Sequence, residues 1–189
     1  MKGNRKQEIL DVTAELLQTR VFSAFSYQDI ADILGITKAA IHSHYRTKEI
    51  LGNALLEQYL EKTKNFLADA EGGGDTAWEK FDAFVAELVN AIMDETKGCP
   101  VTLLQVENNV IPETMQKGIS KIYDLEKEWM TKILRQGRDE GGMVFPGTSE
   151  DQAALILAAV QGGYMNARAE GVERFEVIMD QIKKNMKPV

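Results

Sequence analysis

Apolar side chains return every three or four positions along almost the whole chain, which is the period of helices buried on one face. Ile9, Val12, Leu16 and Leu17 predict a first helix over about residues 6–19. Ser26 is placed to cap a short second helix carrying Ile30, Ala31 and Leu34, and Gly35 to close it in a left-handed conformation. Thr37 is placed to cap a third helix ending near His44, and Lys48 opens a long one through Leu51, Leu55 and Tyr59 toward about residue 70. The Gly72-Gly73-Gly74 run is the clearest break. Beyond it Trp78, Phe81, Val85, Leu88 and Ile92 share one helical face. Pro100 and Pro112 each suit the first turn of a further helix. Ser149 and Gln152 read as a capping box opening a helix rich in small residues, and Phe175, Ile178, Met179 and Ile182 mark the last. Strand signals are missing, so the expected fold is all-α with about nine helices.

Composition narrows the class. The 189 residues are 44% hydrophobic and 27% charged, an ordinary globular balance. No apolar run approaches the roughly 20 residues that cross a bilayer, so no membrane partner is expected. The single cysteine fits a reducing compartment and a cytoplasmic protein. Net charge is -7, but its distribution is uneven: 7 basic and 6 acidic side chains in the first fifty residues, against 15 and 23 in the remainder. Any polyanion is expected to meet the first fifty residues.

Those residues carry the most specific pattern. Two short helices joined by a glycine turn form a helix-turn-helix, whose second helix presents its N-terminal side chains to the major groove. An ordinary helical hairpin remains the bland alternative. The stretch FSYQDIADILGITKAAIHSHYRTKEIL, and above all Ile-Ala-x-x-x-Gly-Ile-Thr-Lys followed by an aromatic residue and Lys-Glu-x-Leu, closely resembles the N-terminal domain of the TetR family of transcriptional regulators. The resemblance covers about residues 5–55. It implies a three-helix DNA-binding domain at 1–48, and an all-helical domain for ligand binding and dimerisation at 49–189. It further implies a homodimer that binds a palindromic double-stranded operator and releases it when a small-molecule effector binds. No cofactor or metal is implied.

With that resemblance, Lys38 becomes the first candidate for a guanine edge, and Ala39 and Ala40 permit close approach to bases. Ser26, Tyr27, Thr37, His42, His44, Tyr45 and Lys48 are expected as phosphate contacts or positioning groups; capping for Ser26 and Thr37, and a core role for Tyr45, remain open. Two departures stand out. Val21 replaces the family's usual glycine, so the turn after the first helix must close differently or carry strain. His42 replaces a tyrosine that normally meets phosphate, which makes binding depend on the charge of an imidazole.

No enzymatic pattern competes, although a small all-α enzyme and a protein-interaction module on the same fold are alternatives. His42 and His44 point about 200° apart on a helix and cannot share a metal. Acidic pairs such as Asp94-Glu95 and Asp139-Glu140 read as solvated helix ends. For the effector cavity the candidates are Phe84, Cys99, Glu107, Tyr123, Trp129 and Tyr164, each of which is equally a core or surface residue. Cys99, at a helix N-terminus two residues after Lys97, is also a candidate reactive thiol, against the reading of a small buried residue. For the dimer interface the candidates are Ala158, Gly162, Ala169, Phe175, Ile178, Met179 and Ile182, against packing within one chain.

Overall fold

The computed structural model describes residues 4–92 and 98–188. Among them are nine α-helices: α1 Arg5–Thr19, α2 Tyr27–Leu34, α3 Lys38–His44, α4 Lys48–Glu71, α5 Ala77–Ile92, α6 Pro100–Val106, α7 Glu113–Asp139, α8 Ser149–Glu170 and α9 Val172–Met186. The sequence-predicted acidic pair Asp94-Glu95, and Lys97, lie outside the described residues.

Two compact units emerge. The first holds residues 4–60 and 98–121, and its core includes Ile9, Leu17, Ile30, Ile41, Leu51, Leu55, Leu104 and Met115, all fully buried. It is larger than the first 48 residues because α6 packs on α1, with the Gly98 N–H donating to the Gln18 carbonyl at 2.9 Å. The second holds residues 61–92 and 122–188, with Phe81, Ile122, Met130, Ile133, Leu134, Ile156 and Phe175 at its centre.

The helix boundaries follow from caps. Ser26 and Asp29 form a capping box: the Ser26 amide and hydroxyl both donate to Asp29 Oδ2 at 2.7 Å, and Ser26 Oγ accepts from the Gln28 N–H at 3.2 Å. Gly35 ends α2 at φ 62, where a side chain is strained. Thr37 Oγ1 accepts from the Ala40 N–H at 3.2 Å and starts α3. Val21 carries no strain. It is extended at φ -96, and the turn closes as a 3-10 turn over Phe22–Ala24.

Two caps correct or extend the sequence reading. α8 is capped by Thr148, not by Ser149 and Gln152; Thr148 Oγ1 accepts from the Asp151 N–H at 3.0 Å and donates to Asp151 Oδ2 at 2.7 Å. The box is shifted by one residue because Ser149 is itself buried. At α5, Glu79 Oε2 accepts from the Asp75 and Thr76 amides at 3.0 and 2.9 Å, a Thr-x-x-Glu box that follows directly on the triple glycine.

Candidate nucleic-acid interface

α3 is only seven residues long and is held by one fully buried side chain, Ile41. A helix anchored on that side turns Lys38, Ala39, His42 and Ser43 outward, and all four are exposed. Ala40 is half-buried and His44 exposed. Thr37 is exposed as well, so its hydroxyl caps the helix without leaving the surface. The His42 ring packs edge-on against Tyr27 with centroids 4.7 Å apart, and Nδ1 lies 3.2 Å from the Arg46 carbonyl. A carbonyl only accepts, so Nδ1 carries the proton; the neutral ring then offers a lone pair at Nε2, and only imidazolium offers a donor there. Arg46, exposed one residue after Tyr45, is a cation that motif-based reading passed over. Its signal was its place just beyond the recognition helix.

Of the residues expected as phosphate contacts or positioning groups, Tyr27, Tyr45 and Lys48 are engaged within the domain. The Tyr27 hydroxyl donates to the Tyr45 carbonyl at 2.9 Å, and burial pushes the phenol up to about 12. Tyr45 is buried and its hydroxyl donates to the Lys6 carbonyl at 3.3 Å. Lys48 donates to the Phe22 and Phe25 carbonyls and lies over both rings, 4.6 and 4.2 Å from their centroids. Burial lowers its ammonium from the ordinary value, while Glu107 and Asp29 oppose that. These side chains hold the domain together, because each polar end is spent on a backbone carbonyl of another segment.

The proposed cavity residues divide between the two units. Glu107 is corrected: it lies in the first unit, buried, where its carboxylate accepts from the Ser23 N–H at 3.1 and 3.2 Å and from the Ser23 hydroxyl. Cys99 also lies in the first unit, half-buried at the N-cap of α6. Phe84, Tyr123, Trp129 and Tyr164 belong to the second. Phe84 stacks on Trp129 at 5.3 Å and 25°. The Trp129 indole donates to Glu71 at 3.0 Å, beside a groove of about 410 Å³ lined by Leu67, Ala68 and Leu125. Lys80 and Lys132 donate to the same carboxylate at 2.8 and 2.9 Å and hold it below its usual range. The Tyr164 hydroxyl donates to the Ala91 carbonyl at 3.0 Å.

One group escaped the sequence reading. Glu126 sits one turn from Ile122 and one turn from Met130, both fully buried, and burial pushes its carboxyl up to about 7. Its signal was a carboxylate interrupting the stripe Ile119, Ile122, Met130, Ile133.

The dimer candidates divide. On α8, Ala158, Gly162 and Ala169 are exposed, with Leu155 and Met165 on the same side. Ile178 and Ile182 are half-buried. Phe175 and Met179 are corrected: they are buried within the chain, and a Cβ on Gly163 would come within 2.9 Å of the Phe175 ring.

Among the described residues no helix is long and apolar enough to cross a membrane. The family model for bacterial regulatory proteins, tetR family, matches residues 9–55. The nucleoid occlusion factor SlmA of Vibrio campbellii is 28% identical over 169 residues, spanning 85% of this chain and 82% of that protein. An HTH-type transcriptional regulator, YfiR of Bacillus subtilis, is 20% identical over 186 residues, spanning 98% and 86%. A TetR family transcriptional regulator from Agrobacterium tumefaciens superposes with a TM-score of 0.93 at 28% identity, covering 97% of this chain and 98% of that one. A TetR regulator from Legionella pneumophila gives 0.87 at 29%, covering 99% and 100%. With the glycine turn, the capped α3 and its outward Lys38 in place, the chain is a DNA-binding transcriptional regulator similar to those of the TetR family, whose model matches its N-terminal residues 9–55.

Proposed function

We propose that this regulator is a homodimeric repressor that holds a palindromic operator and releases it when a small molecule binds residues 49–189. The observation that carries the reading is the exposed face of α3, where Lys38, Ala39 and His42 stand clear of the core on a helix fixed by Ile41. Lys38 reads a guanine edge, and Ala39 and Ala40 let the helix approach the bases. Thr37, His42, His44 and Arg46 meet phosphates, and Ser26 holds α2 in register by its cap. The exposed small residues Ala158, Gly162 and Ala169 seat a second copy, setting two recognition helices about 34 Å apart, one turn of duplex. Phe84, Trp129, Tyr123, Tyr164 and Cys99 serve the effector domain. A regulator of this kind works where the DNA is, in the cytoplasm, and performs no catalysis.

The test is fluorescence anisotropy with duplexes from the region upstream of the protein's own gene. The expected result is one dimer per palindrome, with affinity falling steeply as salt rises. Equal binding to an unrelated duplex, or binding by a fragment comprising residues 51–189, overturns the reading.

A further inference from the structure

The His42 ring is held at two points, and the atom they leave over faces outward. Nδ1 lies 3.2 Å from the Arg46 carbonyl, which can only accept, so Nδ1 carries the proton of the neutral ring. The Tyr27 ring packs edge-on against the imidazole, and Tyr27 is itself fixed by its bond to the Tyr45 carbonyl at 2.9 Å. Turning the ring over to exchange its nitrogens would forfeit the Arg46 bond. Among the described residues no hydrogen bond engages Nε2, and His42 is exposed on the same face of α3 as Lys38 and Ala39.

A DNA phosphate is an anion whose oxygens only accept hydrogen bonds. In this tautomer the neutral ring would turn a lone pair toward that anion, which repels it. The imidazolium turns an N–H and a positive charge toward it, a charge-assisted bond. We propose that His42 takes up a proton as it meets the operator backbone, so that the dimer binds with the uptake of one hydrogen ion per half-site. The proton comes from solvent and adds to the Nε2 lone pair, while Nδ1 keeps its bond to Arg46. A tyrosine at this place would donate at any pH below about 10; the histidine makes the same contact conditional. The proposal rests on the operator-binding reading above and adds a control to it.

The groups facing the ring leave this work to the DNA. α2 contributes Tyr27, a phenol that burial and then Tyr45 push up to about 12, so it stays neutral. The residue two places beyond α3 contributes Arg46, and α3 itself contributes Lys38 one turn earlier, both exposed cations. Among the described residues no carboxylate pairs with His42, so the anion that stabilises imidazolium has to come from the operator.

The test measures operator affinity of the full-length protein from pH 8 to pH 6 at constant ionic strength. The chain has only two histidines, so two variants separate the sources. Wild type should bind about tenfold more tightly at pH 6 than at pH 8, and His44→Gln should keep that rise. His42→Gln should flatten it, because an amide donates at every pH. A second readout needs no change at His42: ring nitrogen NMR of His44→Gln protein. It should show Nδ1 alone protonated at pH 8 without DNA, and both nitrogens protonated in the operator complex at pH 6. A flat wild-type profile, a rise that survives in His42→Gln, or a ring that stays neutral in the complex overturns the proposal. So does affinity that falls on acidification, which would put the lone pair on a base amino group. Those outcomes leave the regulator reading standing. A wild type that binds no duplex at any pH sinks that reading, and the proton coupling with it.

Discussion

The carboxylate of Glu107, at the C-terminal end of α6, accepts the backbone N–H and the hydroxyl of Ser23, 84 residues earlier in the turn between α1 and α2. Lys48 pairs with the carbonyls of Phe22 and Phe25 on either side of Ser23, and the charge of Glu107 favours its ammonium. A short stretch of turn is thus held by its amide from one side and by its carbonyls from the other. The turn leads directly into the capping box of α2, so the pose of the helix-turn-helix depends on this clasp.

Removing the carboxylate leaves the Ser23 amide and the Lys48 charge without their partner. Glu107→Ala should lower unfolding stability by about 1.5–3 kcal/mol, the usual contribution of hydrogen bonds to a charged group. Chemical denaturation checks it. A change under about 0.5 kcal/mol, the range of a neutral surface substitution, would show that the clasp contributes nothing.

Lys38 and Lys48 are expected to behave oppositely. Lys38→Ala should relax base preference at one operator position by about 1–3 kcal/mol and leave the melting temperature unchanged. Lys48→Met should lower the melting temperature while leaving the salt dependence of operator binding intact. Anisotropy titrations over a salt series, paired with thermal melts, separate the two. A salt slope in Lys48→Met that is shallower by the equivalent of about one phosphate would return that lysine to the DNA surface.

Adjacent glycines on α8 give a sharp contrast. A Cβ on Gly162 meets nothing within 4 Å, whereas one on Gly163 comes within 2.9 Å of Phe175. Gly162→Leu should fold normally but run as a monomer and lose operator affinity, since the added side chain stands on the exposed stripe. Gly163→Ala should instead destabilise each chain, by about 1–3 kcal/mol if the ring cannot shift. Analytical ultracentrifugation with thermal melts decides; a dimeric Gly162→Leu protein would place the interface elsewhere.

Glu126 ties stability to pH. Its carboxyl is raised from 4.5 to about 7 by burial, so the folded chain keeps a proton that the unfolded chain gives up. Below 4.5 both states are protonated and stability is unaffected; as pH climbs from there through about 7, the folded state becomes progressively less favoured. Glu126→Gln should therefore be more stable than wild type at pH 8, by on the order of 1–3 kcal/mol, and level with it at pH 4. Denaturation curves at both pH values test this; parallel profiles would mean that Glu126 stays ionised in the folded protein.

What the sequence determined by itself is whatever closes over a few residues. Ser26 and Thr37 cap the helices they precede and Gly35 turns left-handed, because each of these interactions spans one helical turn and its chemistry is written in adjacent letters. The helical period likewise marked Ile30, Phe81 and Phe175 as apolar positions, and all three are buried. Tertiary structure decided the rest. A lysine, a tyrosine or a glutamate has the same letter whether it faces solvent or a carbonyl many residues away. Only the packing of α6 on α1 spends Glu107 on Ser23, only the turn before α2 draws Lys48 inward, and only the approach of α9 to Gly163 turns Phe175 from a dimer contact into core. Long side chains reach partners set by the whole chain, and the desolvation that makes those pairings necessary arises only once the units have closed.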